Sequence, residues 1–183
     1  MINPNPQTHY TGPSHKQEIE THTLSILVDN EPGVLARVIG LFSGRGYNID
    51  SLSVGETENP NLSRMTIVST GDEYIKSQII RQLSKLYDVK AAFLLEKDMS
   101  VSVEHLLIKL KINGSGNASV TELINSYGGK VLELCENFII ADITGAPEKI
   151  QAFIEQAKPL GILELCRSGA LALSTGENHM LGV

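Results

Sequence analysis

The chain has 183 residues, 42% of them hydrophobic, and a formal net charge of -6 at pH 7, which is apolar material for one or two small cores. The acidic balance disfavours nucleic acid and anionic membranes, and with no Trp and 5% aromatic residues there is no stacking platform for bases. No apolar run approaches the length of a membrane span.

Residues 1–20 are rich in Asn, Pro, Thr, Gln and His. They lack the apolar stretch of a signal peptide and the arginines of a transit peptide, the first Arg being Arg37. They read as a disordered tail, and a cytoplasmic location is expected. From Leu24 the pattern alternates, Leu24, Ile26 and Val28 against Ser25, Leu27 and Asp29, as in a largely buried strand. The period then changes. Val34, Leu35, Val38, Ile39, Leu41 and Phe42 form the face of an amphipathic helix, stopped by Gly44 and Gly46. A second strand is expected over Asn48 to Glu56, a hairpin through Asn59, Pro60 and Asn61, and a third strand over Arg64 to Ser69. Asp72 would cap a second helix with Ile75, Ile79, Ile80, Leu83 and Leu86 on one side, and Val89 to Leu95 supplies a last strand. The order is βαββαβ, a ferredoxin-like unit spanning residues 21–96.

The most informative junction lies between the first strand and the first helix, at Asn30 to Gly33. A helix start leaves N–H groups unpaired and carries partial positive charge, and glycine there lets a ligand oxygen approach the backbone. Gly33, Val34 and Leu35 are therefore candidates to receive a small anion such as a carboxylate. The same residues would also serve an ordinary turn, with Asp29 or Asn30 capping and Pro32 setting the chain direction.

After a short polar hinge, Glu96 to Ser100, the pattern repeats over residues 101–176. Strands are expected at His105 to Ile112, Lys130 to Cys135, Phe138 to Thr144 and within Ile162 to Leu173, and helices at Ala118 to Tyr127 and Pro147 to Ala157. Residues 177–183 form a second tail. The Gly-rich turn Asn113 to Ser119 resembles a dinucleotide loop, with Glu133 near the distance of a ribose-binding acid. It has two of three glycines, Ser119 would hinder close packing at the third, and too little chain follows for a doubly wound sheet. A solvated loop with Asn117 or Ser119 capping the helix is the expected form.

Chemistry-bearing motifs are otherwise sparse. Cys135 and Cys166 show no paired spacing and read as buried free thiols; His9, His15, His22, His105 and His179 form no ligand pair. No nucleophile stands in a recognisable catalytic signature. Glu148, Lys149, Glu155 and Lys158 are spaced as a solvated helix face. Arg37 and Arg45, on the first helix, suit exposed salt bridges or a partner contact.

The string DNEPGVLARVIGLFSGRGYNIDSLSVG (Asp29 to Gly55), followed by LSRMTIVSTGDE and later CRSGALALSTG (Cys166 to Gly176), resembles the small regulatory subunits of acetolactate synthase. The likeness runs from about Thr23 to Gly176. It implies that the first unit is an ACT domain, a module that binds amino acids, and that the chain is a non-catalytic regulatory subunit in branched-chain amino acid biosynthesis. It also implies a homodimer paired through the second strand, an edge in the 4-1-3-2 sheet order. The effector, valine, would lie between Asn30, Gly33, Val34 and Leu35 of one chain and Asn48 and Ile49 of the other. Feedback control would act on a catalytic large subunit that carries thiamine diphosphate, Mg2+ and FAD, none of them on this chain. Three departures stand out. Glu104-His105-Leu106 replaces an Arg-Glu-Leu segment of many relatives, Leu173-Ser174-Thr175-Gly176 lacks the Arg of an LSRG-like end, and Ala36 stands where some relatives have a hydroxyl. A free-standing enzyme would need a nucleophile, metal or cofactor cradle, and a DNA-binding regulator would need a basic helix-turn-helix.

Overall fold

The structure, a computed structural model, describes residues 20–112 and 117–176. The two tails and most of the Gly-rich turn, residues 113–116, lie outside it. The chain forms two α+β units of the same design. The first contains β1 (Glu20–Asp29), α1 (Val34–Ser43), β2 (Ser51–Glu56), β3 (Leu62–Gly71), α2 (Glu73–Leu83) and β4 (Val89–Leu95), with sheet order β2-β3-β1-β4. The second contains β5 (Ser100–Lys111), α3 (Asn117–Ser126), β6 (Lys130–Leu134), β7 (Phe138–Gly145), α4 (Pro147–Ala157) and β8 (Ile162–Ser174), ordered β6-β7-β5-β8. Both are ferredoxin-like, antiparallel throughout.

Period 2 in the strands and period 3.6 in the helices place the apolar residues at one interface in each unit. Leu24, Ile26, Val28, Met65 and Ile67 of the first sheet meet Val34, Val38, Leu41 and Phe42 of α1 and Ile79 and Leu83 of α2. In the second unit, Leu106, Ile108, Leu110, Ile139, Ala141 and Ile143 meet Val120, Ile124, Ile150, Phe153 and Ile154. Gly129 sits where this second core closes. A Cβ there would lie 2.8 Å from the Asp142 carbonyl oxygen and 2.9 Å from methyl or methylene carbons of Ile124 and Ile143. Backbone cannot yield as a flexible side chain can. Gly129→Ala is expected to destabilise the protein by about 1 to 3 kcal/mol, read as a lower denaturation midpoint at unchanged m-value. Unaltered stability would mean that the core accommodates the methyl group.

Several expectations change. The second strand starts at Ser51 rather than Asn48, because the Asn48 carbonyl accepts a hydrogen bond from Ser69 Oγ at 2.6 Å instead of joining the ladder. The cysteines are not buried: Cys135 is half-buried and Cys166 exposed on the sheet face away from the helices. Desolvation, then a hydrogen bond to Glu133, pushes the Cys135 thiol pKa up. The expected hinge is a fixed corner. Lys97–Met99 make one 3-10 turn, Ser100 Oγ donates to the Glu96 carbonyl at 2.7 Å, and β5 begins at once.

The two units are not beads on that corner. Beyond the second sheet proper, Ser100–Val103 pair only with β8, forming a ribbon with two unlike faces. Val101, Leu171 and Leu173 stand exposed on one side. On the other, Ala170 and Ala172 are 5% exposed, and β8 touches all four strands of the first sheet. The small residues of that sheet face, including Ser25 and Thr66, are buried accordingly.

Candidate functional site

Gly33 is the N-cap of α1, with φ 86° and ψ -8°, a left-handed conformation that glycine adopts without steric cost. Neither Asp29 nor Asn30 caps the helix. Asp29 Oδ2 pairs with Lys90 at 2.7 Å. Asn30 reaches sideways across the sheet end: its Nδ2 donates to the Pro60 carbonyl at 2.9 Å and to Glu56 at 3.3 Å, and its Oδ1 accepts from Ser63 Oγ at 3.0 Å. The Asn30 N–H also donates to the Asn61 carbonyl at 2.8 Å. The ordinary turn expected from sequence is therefore tied to the β2–β3 hairpin, a long-range tie that local pattern does not reveal.

This tie leaves the helix start open. Val34 N–H donates to the Glu31 carbonyl at 3.3 Å, whereas the N–H groups of Gly33, Leu35 and Ala36 have no hydrogen-bond partner among the described residues. Leu35 projects outward, 36% exposed, while Val34 is buried in the core. Arg37 adds positive charge. A Cβ on Gly33 would come within 3.1 Å of Arg37 Nη1, so the guanidinium lies against the turn. Arg37 Nε donates to Asp88 Oδ2 at 2.7 Å, which raises the Arg37 pKa and holds the Asp88 carboxyl below its ordinary range. A depressed carboxyl stabilises the fold above its unfolded pKa, and that contribution disappears as acid titrates the folded group. Arg37 is exposed and Asp88 only half-buried at the surface, so solvent screens the pair and the effect on stability is small. Arg45 is elsewhere, donating to Gln82 at 3.0 Å near the far end of α1.

Asn48 and Ile49 lie at the opposite end of the sheet. Asn48 Nδ2 donates to Asp50 Oδ1 at 2.5 Å, and Thr70 Oγ1 donates to Asp50 Oδ2 at 2.7 Å. Ile49 is half-buried and packs on the first core. Along β3, Ser63, which holds Asn30, and Ser69, which holds Asn48, are six residues apart, or about 20 Å at the rise of a strand. Within one chain, Asn30, Gly33, Val34 and Leu35 form one group and Asn48 and Ile49 another; the fold does not bring the two together.

The departure at Glu104 has a structural partner. Glu104, 4% exposed, accepts two hydrogen bonds from Arg167, Nε and Nη2, each at 2.6 Å, and Arg167 Nη1 donates to Gln151 of α4 at 3.1 Å. The Glu104 contact raises the Arg167 pKa. His105 Nδ1 lies 3.2 Å from Thr144 Oγ1, and buried His22 Nε2 donates to the Gly71 carbonyl at 3.0 Å. Among the described residues no group of three His, Cys, Asp or Glu side chains is placed to hold a metal ion. None of their helices is long and apolar enough to cross a membrane.

Residues 24–91 match the model of the AHAS small subunit-like ACT domain, and residues 103–176 match that of the small subunit of acetolactate synthase. The chain belongs to the acetolactate synthase small-subunit family. It is 43% identical to the acetolactate synthase small subunit of Mycolicibacterium smegmatis over 85% of this chain and 92% of that one. It is 39% identical to a probable small subunit of Methanothermobacter thermautotrophicus, covering 90% and 99% of the two chains. The crystal structure of the small subunit from Thermotoga maritima superposes with a TM-score of 0.81 at 34% identity, covering 87% of this chain and 99% of that one. The family resemblance and the ferredoxin-like ACT fold read from sequence are both borne out.

Proposed function

We propose that the protein is a cytoplasmic, non-catalytic regulatory subunit that activates a catalytic large subunit of acetolactate synthase and makes it sensitive to valine. The observation that carries the effector reading is the separation of the two residue groups. β2 is an edge strand, its outer backbone groups unpaired within its own sheet. Antiparallel pairing with a second copy sets the start of one β2 beside the end of the other. The Asn48 end of one chain then meets the Asn30 end of its partner, where Asn30 is already bonded to Glu56 at the end of β2. A homodimer built this way has two composite pockets.

In each pocket valine's carboxylate takes the open N–H groups of Gly33 and Leu35, beside Arg37. Its ammonium meets the remaining lone pair of Asn30 Oδ1 and the Oδ1 of the partner chain's Asn48. Its isopropyl group faces Leu35 and the partner chain's Ile49. The second unit, with Val101, Leu171 and Leu173 exposed on one face, serves the catalytic subunit, since apolar patches of this kind mark association surfaces. The catalytic subunit supplies the thiamine diphosphate, Mg2+ and FAD chemistry that condenses two pyruvates, or pyruvate and 2-oxobutyrate.

The test is co-expression followed by reconstitution. The catalytic subunit is expected to co-purify with this chain, to form acetolactate faster in its presence, and to be slowed by valine only when the chain is bound. A catalytic subunit that ignores the chain, or valine inhibition that does not require it, would overturn the reading.

A further inference from the structure

β8 carries a bulge at the point where it leaves its own sheet. Glu104 pairs with Ala170 and Leu106 with Arg167, so Ser168 and Gly169 together face His105. Gly169 has φ 73°, which favours glycine, and a Cβ there would meet Ser51 Cβ at 3.1 Å and Ser51 Oγ at 3.3 Å. The bulge is therefore pressed on the first residue of β2. Ser53 Oγ lies 3.0 Å from the carbonyl oxygens of both Ser168 and Ala170, donating between them, and the Ala170 N–H donates to Ser51 Oγ at 3.4 Å. On its other side the His105 N–H donates to Ser168 Oγ at 3.0 Å, and neighbouring Arg167 holds Glu104 and Gln151. A cleft of about 1090 Å³ opens beside this contact, lined by Asp50, Ser51, Arg167 and Gly169.

We propose that this clasp between Ser51 and Ser53 of β2 and the Ser168–Ala170 bulge of β8 is the conformational link that carries effector occupancy from the first unit to the second. The inference rests on the valine reading above. Asn48 and Ile49 precede Ser51 by only two or three residues, and only Asp50 N–H, bonded to the Val68 carbonyl at 2.8 Å, continues the ladder between them. A ligand that draws Ile49 toward it shifts Ser51 against Gly169. Release of the Ser53 hydroxyl from the two carbonyls would open the clasp, and the adjacent cleft gives the bulge room to move. Movement of the bulge pulls on Arg167, hence on β5 through Glu104 and on α4 through Gln151.

The experiment uses the full chain bound to its catalytic subunit. Ser53→Ala removes both hydrogen bonds without adding bulk. Valine is expected to bind this variant within about threefold of the unaltered affinity, while the effect of valine on the catalytic subunit, of the usual coupling size of roughly 5- to 150-fold, falls below about twofold. Ser53→Thr, which keeps the hydroxyl, restores it. In the unaltered chain, valine is expected to change amide hydrogen exchange at His105 and Ala170, whose N–H groups close the bulge. Full valine control by Ser53→Ala, or exchange at both amides indifferent to valine, overturns the link. An unaltered chain that binds no valine overturns the effector reading and this inference with it.

Discussion

Gly33→Asp is expected to weaken valine binding by about 2 to 4 kcal/mol, the cost of setting a carboxylate where the ligand's own carboxylate must sit. The added charge acts twice. It repels the effector, and it draws the Arg37 guanidinium, whose Nη1 would lie 3.1 Å from the new Cβ, away from the anion. Folding survives, because an acidic group suits a helix N-terminus and Arg37 is the flexible end of a long side chain. The left-handed φ of 86° nevertheless costs any side chain, on the order of 1 to 2 kcal/mol. Gly33→Ala isolates that strain, and the difference between the two variants isolates the charge. Calorimetric titration of valine into all three forms is the measurement, with thermal unfolding alongside. An aspartate variant that binds valine as the parent does removes the turn from the site.

Asn30→Ala and Asn48→Ala are each expected to weaken valine by about 1.5 to 3 kcal/mol, the usual size of a hydrogen bond to a charged group. The two act differently. Asn30 also anchors the turn through Ser63, Pro60 and Glu56, so its loss frees the segment that presents the N–H groups. Asn48 anchors the approach to β2 through Asp50. A mixed dimer of the two single variants carries both losses in one pocket and neither in the other. It should bind one valine per dimer with unaltered affinity. Separately tagged chains, co-expressed and purified over both tags, supply the material, and a mixed dimer no better than the homodimers would place the two residues in different sites.

The chain's own patterning determined both βαββαβ units. Leu24, Ile26 and Val28 alternate toward a buried face, and Val34, Val38, Leu41 and Phe42 recur at helical spacing. These are local signals. So is the place of Gly33, since the period changes from that of a strand to that of a helix at this point, and the change marks the helix start. The small residues Ser51, Ser53, Ser168 and Gly169 carry no such signal, because their importance lies in touching across more than a hundred positions of chain. The same holds for Asn30, which the local pattern offered as a cap. Ser63 and Pro60 claim its side chain from the far side of a hairpin.

The cysteines follow the same rule: period alone could not say which face of the second sheet is left open, and Cys166 lies on it. The corner at Glu96 to Ser100 read as a hinge because it is short and polar. Whether such a segment bends freely depends on what it joins. Here Ser100 Oγ bonds back to Glu96 and β8 lies across the first sheet. Local sequence thus specified which elements form and where a backbone donor site opens, since those depend on spacing within ten or twenty residues. Which elements meet, and that Asn30 to Leu35 and Asn48 with Ile49 stand at opposite ends of one sheet, depends on strand pairing and burial between distant segments, which only the folded chain decides.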